Sequence, residues 1–544
     1  MPERIRYCTV VYLLLAFGNS WCQAPYFSEV SSALGLDYTY PGNDFQMVGG
    51  GIMVIDVNND GWEDVFQSGG VFDSKLWLNE KGAFRDATSE FGLDKLIPYF
   101  IQSAVSADFN NDGFSDFIIV NFGKGMERGD KRSPVVLLNK KGKSFDTLSL
   151  HHILEPAHYS SACVGDVNKD GFTDIYLTNY VDKMGGIYDS NGVEIGYKPR
   201  CFENKLLINI KGKSFMESSK SYKVSDPGCG LSASFTDPDL DGDLDLILLN
   251  DFGHWSGYGN RFFRNEFPEE TFTDQSDLVG MNQLIYGMGI GQGDYDHDGD
   301  IDYYITNIGK NYLFNNEQGI FTDIANEQGL DLTFVKDSLR GTSWSGLFFD
   351  RENDGDLDLF VSKGNVLNLL PKTVIKDKNA YFERDSNQYI NHSLRSGLDD
   401  VLSHRGSALF DFDHDGDLDI VSGVIKLPLA AFANLEQKIK LFRNEAQGNS
   451  WIGIELVGSS SINKDCFGCS VTLISQIGKT IREVDGGSGH GAQSSRILYF
   501  GLGKNFYTEK MYVKWADGTT SELNHLKSGH VYRVQKNGKI TVKY

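Results

Sequence analysis

Seven nine-residue segments concentrate the residues that could do chemistry. They are DVNNDGWED from Asp56, DFNNDGFSD from Asp108, DVNKDGFTD from Asp166, DPDLDGDLD from Asp237, DYDHDGDID from Asp294, DRENDGDLD from Asp350 and DFDHDGDLD from Asp411. A hard cation such as Ca²⁺ takes about six to eight oxygen ligands, and alternate residues of a tight loop turn inward to supply them. Positions 1, 3, 5 and 9 then offer side-chain oxygens, position 7 a backbone carbonyl, and the glycine at position 6 makes the sharp turn. On that register the first loop offers Asp56, Asn58, Asp60, the Trp62 carbonyl and Asp64, and the second Asp108, Asn110, Asp112, Phe114 and Asp116. The third offers Asp166, Asn168, Asp170, Phe172 and Asp174, and the fourth Asp237, Asp239, Asp241, Asp243 and Asp245. The last three offer Asp294, Asp296, Asp298, Asp300 and Asp302; Asp350, Glu352, Asp354, Asp356 and Asp358; and Asp411, Asp413, Asp415, Asp417 and Asp419. The first half of the pattern is shared with an EF-hand, but a strand-like apolar stretch stands where the EF-hand's closing Glu and exiting helix would be.

Asp, Asn and Gly also favour plain turns, but turns alone do not hold acids at positions 1, 5 and 9 seven times over. The seven segments carry 30 of the 74 acidic residues and only Lys169 and Arg351 as basic ones, so they account for the net charge of −23. Seven structural calcium ions is the upper expectation. Position 3 is Asn in the first three loops and acidic in the last four, which predicts tighter binding in the latter group. Glu352 is longer than Asp, and His297 and His414, at position 4, point away from an ion.

Around the loops lie the elements that must position them. Each follows small and apolar residues and precedes a short apolar run. A second pair of strand-like segments comes next, such as LWLNEKGAFRD and YLFNNEQGIFTD. Period-2 runs with Gly-rich turns read as strands, and seven repeats of them predict an all-β fold, a seven-bladed β-propeller of four-stranded blades. The copy at AYFERDSNQYIN is degenerate. The seventh repeat lacks its last strand, and YFSEVSSALGL near the N-terminus resembles FTDIANEQGL of the fifth, so the chain's first strand is expected to close the last blade. The expected domains are a signal peptide over residues 1–24, the propeller over 25–446, and a small β domain over 447–544. Arg4 and Arg6 before the apolar run Thr9–Phe17 give the signal character, with cleavage after Ser20 or Ala24. Five cysteines lie beyond that segment. Cys201 and Cys229 flank one long insertion and are the preferred disulfide, while Cys466 and Cys469 form an isolated C-x-x-C.

At the loops the sequence resembles the FG-GAP/VCBS repeats of integrin-α-type propellers. The tail segments NSWIGIELVGS, SVTLI, IREVDGGSGHGAQSS, LYFGLG and VKWADG resemble the ASPIC/UnbV domain. Together they resemble the cartilage acidic protein-like family. That resemblance implies an extracellular calcium-binding protein linked to adhesion or matrix, without an established reaction. Two departures stand out: Cys466-Phe-Gly-Cys469 occupies a place where the family has Ala-Ile-Gly-Ala, and His490 replaces an aromatic residue of the glycine turn.

The expected function is therefore a secreted, non-enzymatic binding or adhesion module for an extracellular protein or glycan. Acidity disfavours nucleic acid, and no transmembrane segment is expected after signal cleavage. In a bacterium the location would be periplasm or cell surface. Two alternatives compete with it. One is a carbohydrate-active enzyme of polysaccharide-lyase type, its base drawn from the insertion at Asp182–Asn204 with Tyr188, Tyr197 and Lys198. The other is an accessory role in natural-product biosynthesis, implied by the name of one family member. Weaker candidates are His490 beside Asp485, Ser488 and Gln493; the histidines of HHILEPAH (His151, His152, His158); Arg128-Gly129-Asp130; and the sequon Asn391-His392-Ser393.

Overall fold

The computed structural model describes residues 24–39, 49–70, 72–96, 101–123, 132–332, 339–366, 374–385, 387–427, 429–459, 461–476 and 478–544. The signal region and Arg128-Gly129-Asp130 lie outside them. Among the described residues no helix is long and apolar enough to cross a membrane.

The fold is nearly all β. Each acidic loop joins the first and second strands of an antiparallel four-stranded sheet, as Asp56–Asp64 joins Ile52–Ile55 to Asp64–Gln67. Seven sheets of this kind are present among the described residues, the first of them with a fifth strand added in parallel. Their first strands, from Ile52–Ile55 through Ile101–Ala107, Tyr159–Gly165, Cys229–Thr236, Ile290–Gly293 and Ser343–Phe349 to Ser403–Phe410, pack each against the next, and the last packs against the first. The sheets therefore form a closed ring. Phe27–Glu29 lies antiparallel to Lys440–Asn444 as the outer strand of the seventh sheet, which covers an edge that would otherwise be open. Buried apolar side chains from facing sheets, such as Phe66 against Phe117 and Phe262 against Phe321, fill the wedges between them. The degenerate sixth copy still forms regular strands, Ala380–Asp385 and Gln388–Asn391.

The insertion in the third sheet is a hairpin, Val181–Tyr188 with Glu194–Cys201, and Cys201 is disulfide-bonded to Cys229. Cys163, Cys466 and Cys469 are free and buried. The tail forms two further four-stranded sheets. One holds Ser450–Val457 between Leu498–Gly503 and His530–Gln535, and the other holds Ser470–Ser475 between Gly478–Glu483 and Lys510–Lys514.

From this tail the glycine-rich turn enters the middle of the ring. Ala492–Gln493 pairs in parallel with Ile52–Ile55. Around it, the Val164 N–H donates to the Gly486 carbonyl, the Ile290 N–H to Ser488, the Ile52 N–H to Gly491, and the Ser495 N–H to Leu409. The Ser106 N–H and Ser232 Oγ donate to Gln493 Oε1 and the Ser488 carbonyl. Inner strands of a ring turn one edge of N–H and C=O groups to the axis, and this turn supplies their partners. Only glycine allows the approach at residue 486, where a Cβ would lie 1.9 Å from the Val164 carbonyl oxygen.

Candidate metal centres

The seven loops share one local geometry, and it follows from residue type. Position 4 is left-handed in every loop: Asn59, Asn111, Lys169, Leu240, His297, Asn353 and His414 all have φ between 53° and 64°. The glycine at position 6 also has positive φ, 87° to 108°. The position-1 carboxylate folds over this turn. In the first loop Asp56 accepts from the N–H groups of Asp60 and Gly61, at 3.1 and 2.9 Å. The sixth loop repeats this with Asp350, Asp354 and Gly355. Position 9 is anchored differently. Asp302 accepts the Tyr295 N–H on Oδ2 (3.1 Å) and the Asn316 N–H on Oδ1 (2.9 Å), and Asp64, Asp116, Asp174, Asp358 and Asp419 are held alike.

Burial is the main force on these acids. It pushes Asp108, Asp166 and Asp294 up to about 7 and Asp350 up to about 8, with neighbouring carboxylates adding to it. The position-9 acids Asp64, Asp174, Asp245, Asp302, Asp358 and Asp419 are pushed well above the usual range, again chiefly by burial. A bound cation is what would let such groups stay ionised.

The loops divide by how they meet that demand. Asp237, Asp239 and Asp241 bring one carboxylate oxygen each within 4.8 Å of one another, as do Asp294, Asp296 and Asp298, and Asp411, Asp413 and Asp419. In these three loops buried oxygens lack hydrogen-bond partners among the described residues: Asp237 Oδ1, Asp245 Oδ2, Asp294 Oδ1 and Asp413 Oδ1. Unpartnered, convergent carboxylate oxygens fit a hard cation. In the first loop Asn58 instead turns its amide to Asp60, at 2.9 Å. The sixth loop carries its own cation, the Arg351 guanidinium 3.1 Å from Glu352.

Two features of the loops are absent from a ligand-by-ligand reading. The first is position 4, which reaches the following loop. Asn59 and Asn111 donate to the Gly113 and Gly171 carbonyls, Lys169 pairs with Asp243, and His297 hydrogen-bonds Asp356. His414 stacks between Trp62 and Tyr544, at 3.7 and 3.5 Å. The second is an asparagine on the third strand of six sheets. Asn316 Nδ2 donates to the Ile301 carbonyl of its own loop and to the Pro238 carbonyl of the preceding one. Asn79, Asn139, Asn209, Asn265 and Asn444 do the same. Its signal in the sequence is a recurrent Asn closing an apolar strand, as in LWLN, LLIN and LFRN.

The tail covers the loop face. Asp465 accepts the Asp108 N–H, Lys514 donates to Asp237, the Ile481 N–H donates to Asp294, Asn449 donates to the Glu352 carbonyl, and the Tyr499 hydroxyl donates to Asp411. Other candidate residues do not assemble. His490 is buried in the ring, 4.5 Å from the Trp344 ring, and burial with the nearby Arg405 charge pulls it down to about 3. Asp485 instead holds Gly487 and Ser488. His158 is buried against the Phe122 carbonyl, whereas His151 and His152 are exposed. In the insertion Tyr188 is exposed.

Residues 56–119 and 108–177 match the FG-GAP-like repeat family, and residues 459–541 match the ASPIC and UnbV family. The chain carries FG-GAP-like repeats and a C-terminal ASPIC/UnbV domain. It is similar to cartilage acidic protein 1 of Xenopus tropicalis, 22% identical over 541 residues that cover 92% of this chain and 75% of that one. The Mus musculus protein of that name is 22% identical over 538 residues, covering 93% and 76%. A rhamnogalacturonan lyase of Bacillus licheniformis aligns with a TM-score of 0.38 and 11% identity, over 78% of this chain and 76% of its own. The ASPIC/UnbV domain is thus the part that supplies the axial turn and covers the acidic loops.

Proposed function

We propose that this chain is a secreted, calcium-loaded ring whose FG-GAP-like loops hold structural ions, and that it acts as a non-enzymatic binding or adhesion module for an extracellular protein or glycan. The observation that carries the reading is the set of convergent carboxylates with unpartnered buried oxygens in the fourth, fifth and seventh loops. Bound Ca²⁺ would neutralise those clusters and hold each loop in its turn; the ligands are the acids at positions 1, 3, 5 and 9 and the position-7 carbonyl. Side chains at position 7 support this division of labour, because Asp243, Asp356 and Asp417 are taken by neighbouring loops through Lys169, His297 and Asn353. Secretion rests on the N-terminal charged and apolar segment. A rigid ring with loops between its strands suits recognition more than catalysis, since the titratable residues singled out by the sequence do not converge.

Bound calcium per chain, measured by elemental analysis after dialysis, together with melting curves with and without EGTA, tests this reading. Three to seven ions and a melting temperature lower by 10 °C or more in EGTA (an order-of-magnitude expectation for losing several tight sites) are expected. No bound calcium and no shift would sink it.

A further inference from the structure

The fourth and fifth loops have acids at the same five positions, but only the fourth has a lysine of the tail in direct contact with its first carboxylate. At the fourth, Lys514 closes the strand Lys510–Lys514 and donates to Asp237 Oδ2 at 2.9 Å and to the Leu240 carbonyl at 2.7 Å. Asp237 is buried, and its other oxygen, Oδ1, has no hydrogen-bond partner. An ammonium thus pairs with a carboxylate that belongs to the convergent cluster with Asp239 and Asp241. Arg264 lies 3.0 and 2.9 Å from those two acids, and Lys169 pairs with Asp243. At the fifth loop, among the described residues, no Lys or Arg is within ion-pair distance of Asp294, Asp296 or Asp298; the tail's Ile481 N–H donates to Asp294 at 2.9 Å, and the tail cations Arg482 and Lys479 act on Asp294 and Asp298 only from beyond that distance.

We propose that Lys514 is a tethered competitor of the ion at the fourth loop, so that ion binding there and seating of the ASPIC/UnbV domain on that loop oppose each other. The inference rests on calcium occupying the loops, as proposed above. The ammonium and a calcium ion would share the Asp237 carboxylate, and like charges that close repel strongly in a half-buried setting. Linkage makes the effect reciprocal: whatever affinity the ion loses to Lys514, the docked tail loses to the ion. The fourth loop is then the last of the convergent clusters to fill. Filling it loosens the edge formed by Lys510–Lys514 and Thr520–Asn524, which pair with each other.

The test compares calcium binding by isothermal titration in the full-length protein, Lys514→Met and the control Lys510→Met. Lys514→Met keeps the aliphatic stem and removes the charge, and Lys510 is exposed at the start of the same strand. Lys514→Met is expected to tighten one site about tenfold or more. Adding Asp239→Asn should abolish that gain and so locate it, whereas Lys510→Met should change nothing. If calcium binds to wild type and Lys514→Met with the same affinities, the competitor is refuted and calcium loading stands. If neither binds calcium, both readings fail. Amide exchange of the wild-type protein gives a second readout that needs no variant: calcium should speed exchange over Lys510–Lys514, and slowed exchange there would overturn the proposal.

Discussion

A buried carboxylate with one oxygen hydrogen-bonded and the other without a partner is costly unless a proton or cation compensates it. Asp294 is in that position, with Oδ2 on the Ile481 N–H and Oδ1 without a partner. His490 shows the converse solution, since burial keeps the imidazole neutral in the ring. Its pKa is about 3 folded against 6.5 unfolded. The unfolded chain therefore takes up the proton first as pH falls, so this residue costs nothing above pH 6.5 and destabilises progressively from 6.5 towards 3. Relative to His490→Gln, the wild-type protein should lose about 2–3 kcal/mol between pH 7 and pH 4.5. Urea unfolding at the two pH values measures this, and parallel profiles for the two proteins would contradict it.

At the level of the element, the repeat is a loop plus the asparagine that ties it to its neighbour. Asn316 makes four hydrogen bonds: its N–H to Asp302, its amide to Ile301 and Pro238, and its Oδ1 from Gly319. Asn316→Ala keeps the first and leaves two buried carbonyls and one N–H without partners. The expected cost is about 2–4 kcal/mol of local stability. It should appear as faster amide exchange over residues 237–246 and 301–319, in calcium and in EGTA alike. A change confined to calcium-loaded protein would mean that the asparagine serves the ion and not the joint. In the sixth sheet Arg384 stands in this place. Its N–H still serves Asp358 (2.8 Å), and its guanidinium lies 4.9 Å from the Tyr295 ring of the preceding loop, so the link survives with different chemistry.

Over the whole molecule, a tail domain with twelve basic and seven acidic side chains covers a ring face lined with acidic loops, and its glycine turn fills the axis. The turn needs glycine because backbone meets backbone there. Gly486→Val is expected to expel the turn while leaving the outer strands of the sheets intact. Limited proteolysis would then cut near Ala446–Ser450 several-fold faster than in wild type and release the tail. An unchanged cleavage pattern would show that the other contacts, such as Lys514 and Tyr499, hold the domain without the turn.

The period of the acidic loops, their split at position 3 and the alternating strands were legible in the residues alone, because hydrogen-bonding patterns and ligand spacing within one loop are local. The sequence alone therefore determined the repeated sheet, the loop that could hold a cation and the β character of the tail. It did not reveal the roles of position 4 and of the strand asparagines, although both recur visibly, because their partners lie one sheet away. His414 and His297, which point away from an ion when one loop is considered, turn out to join loops. Only the tertiary structure decided that the tail covers the acidic face, that His490 sits neutral inside the ring, and that of two loops with the same acid pattern one has a tail lysine on its first carboxylate. These depend on which charges are brought together across hundreds of residues, and Coulomb energy depends on distance and burial, neither of which is written in local sequence.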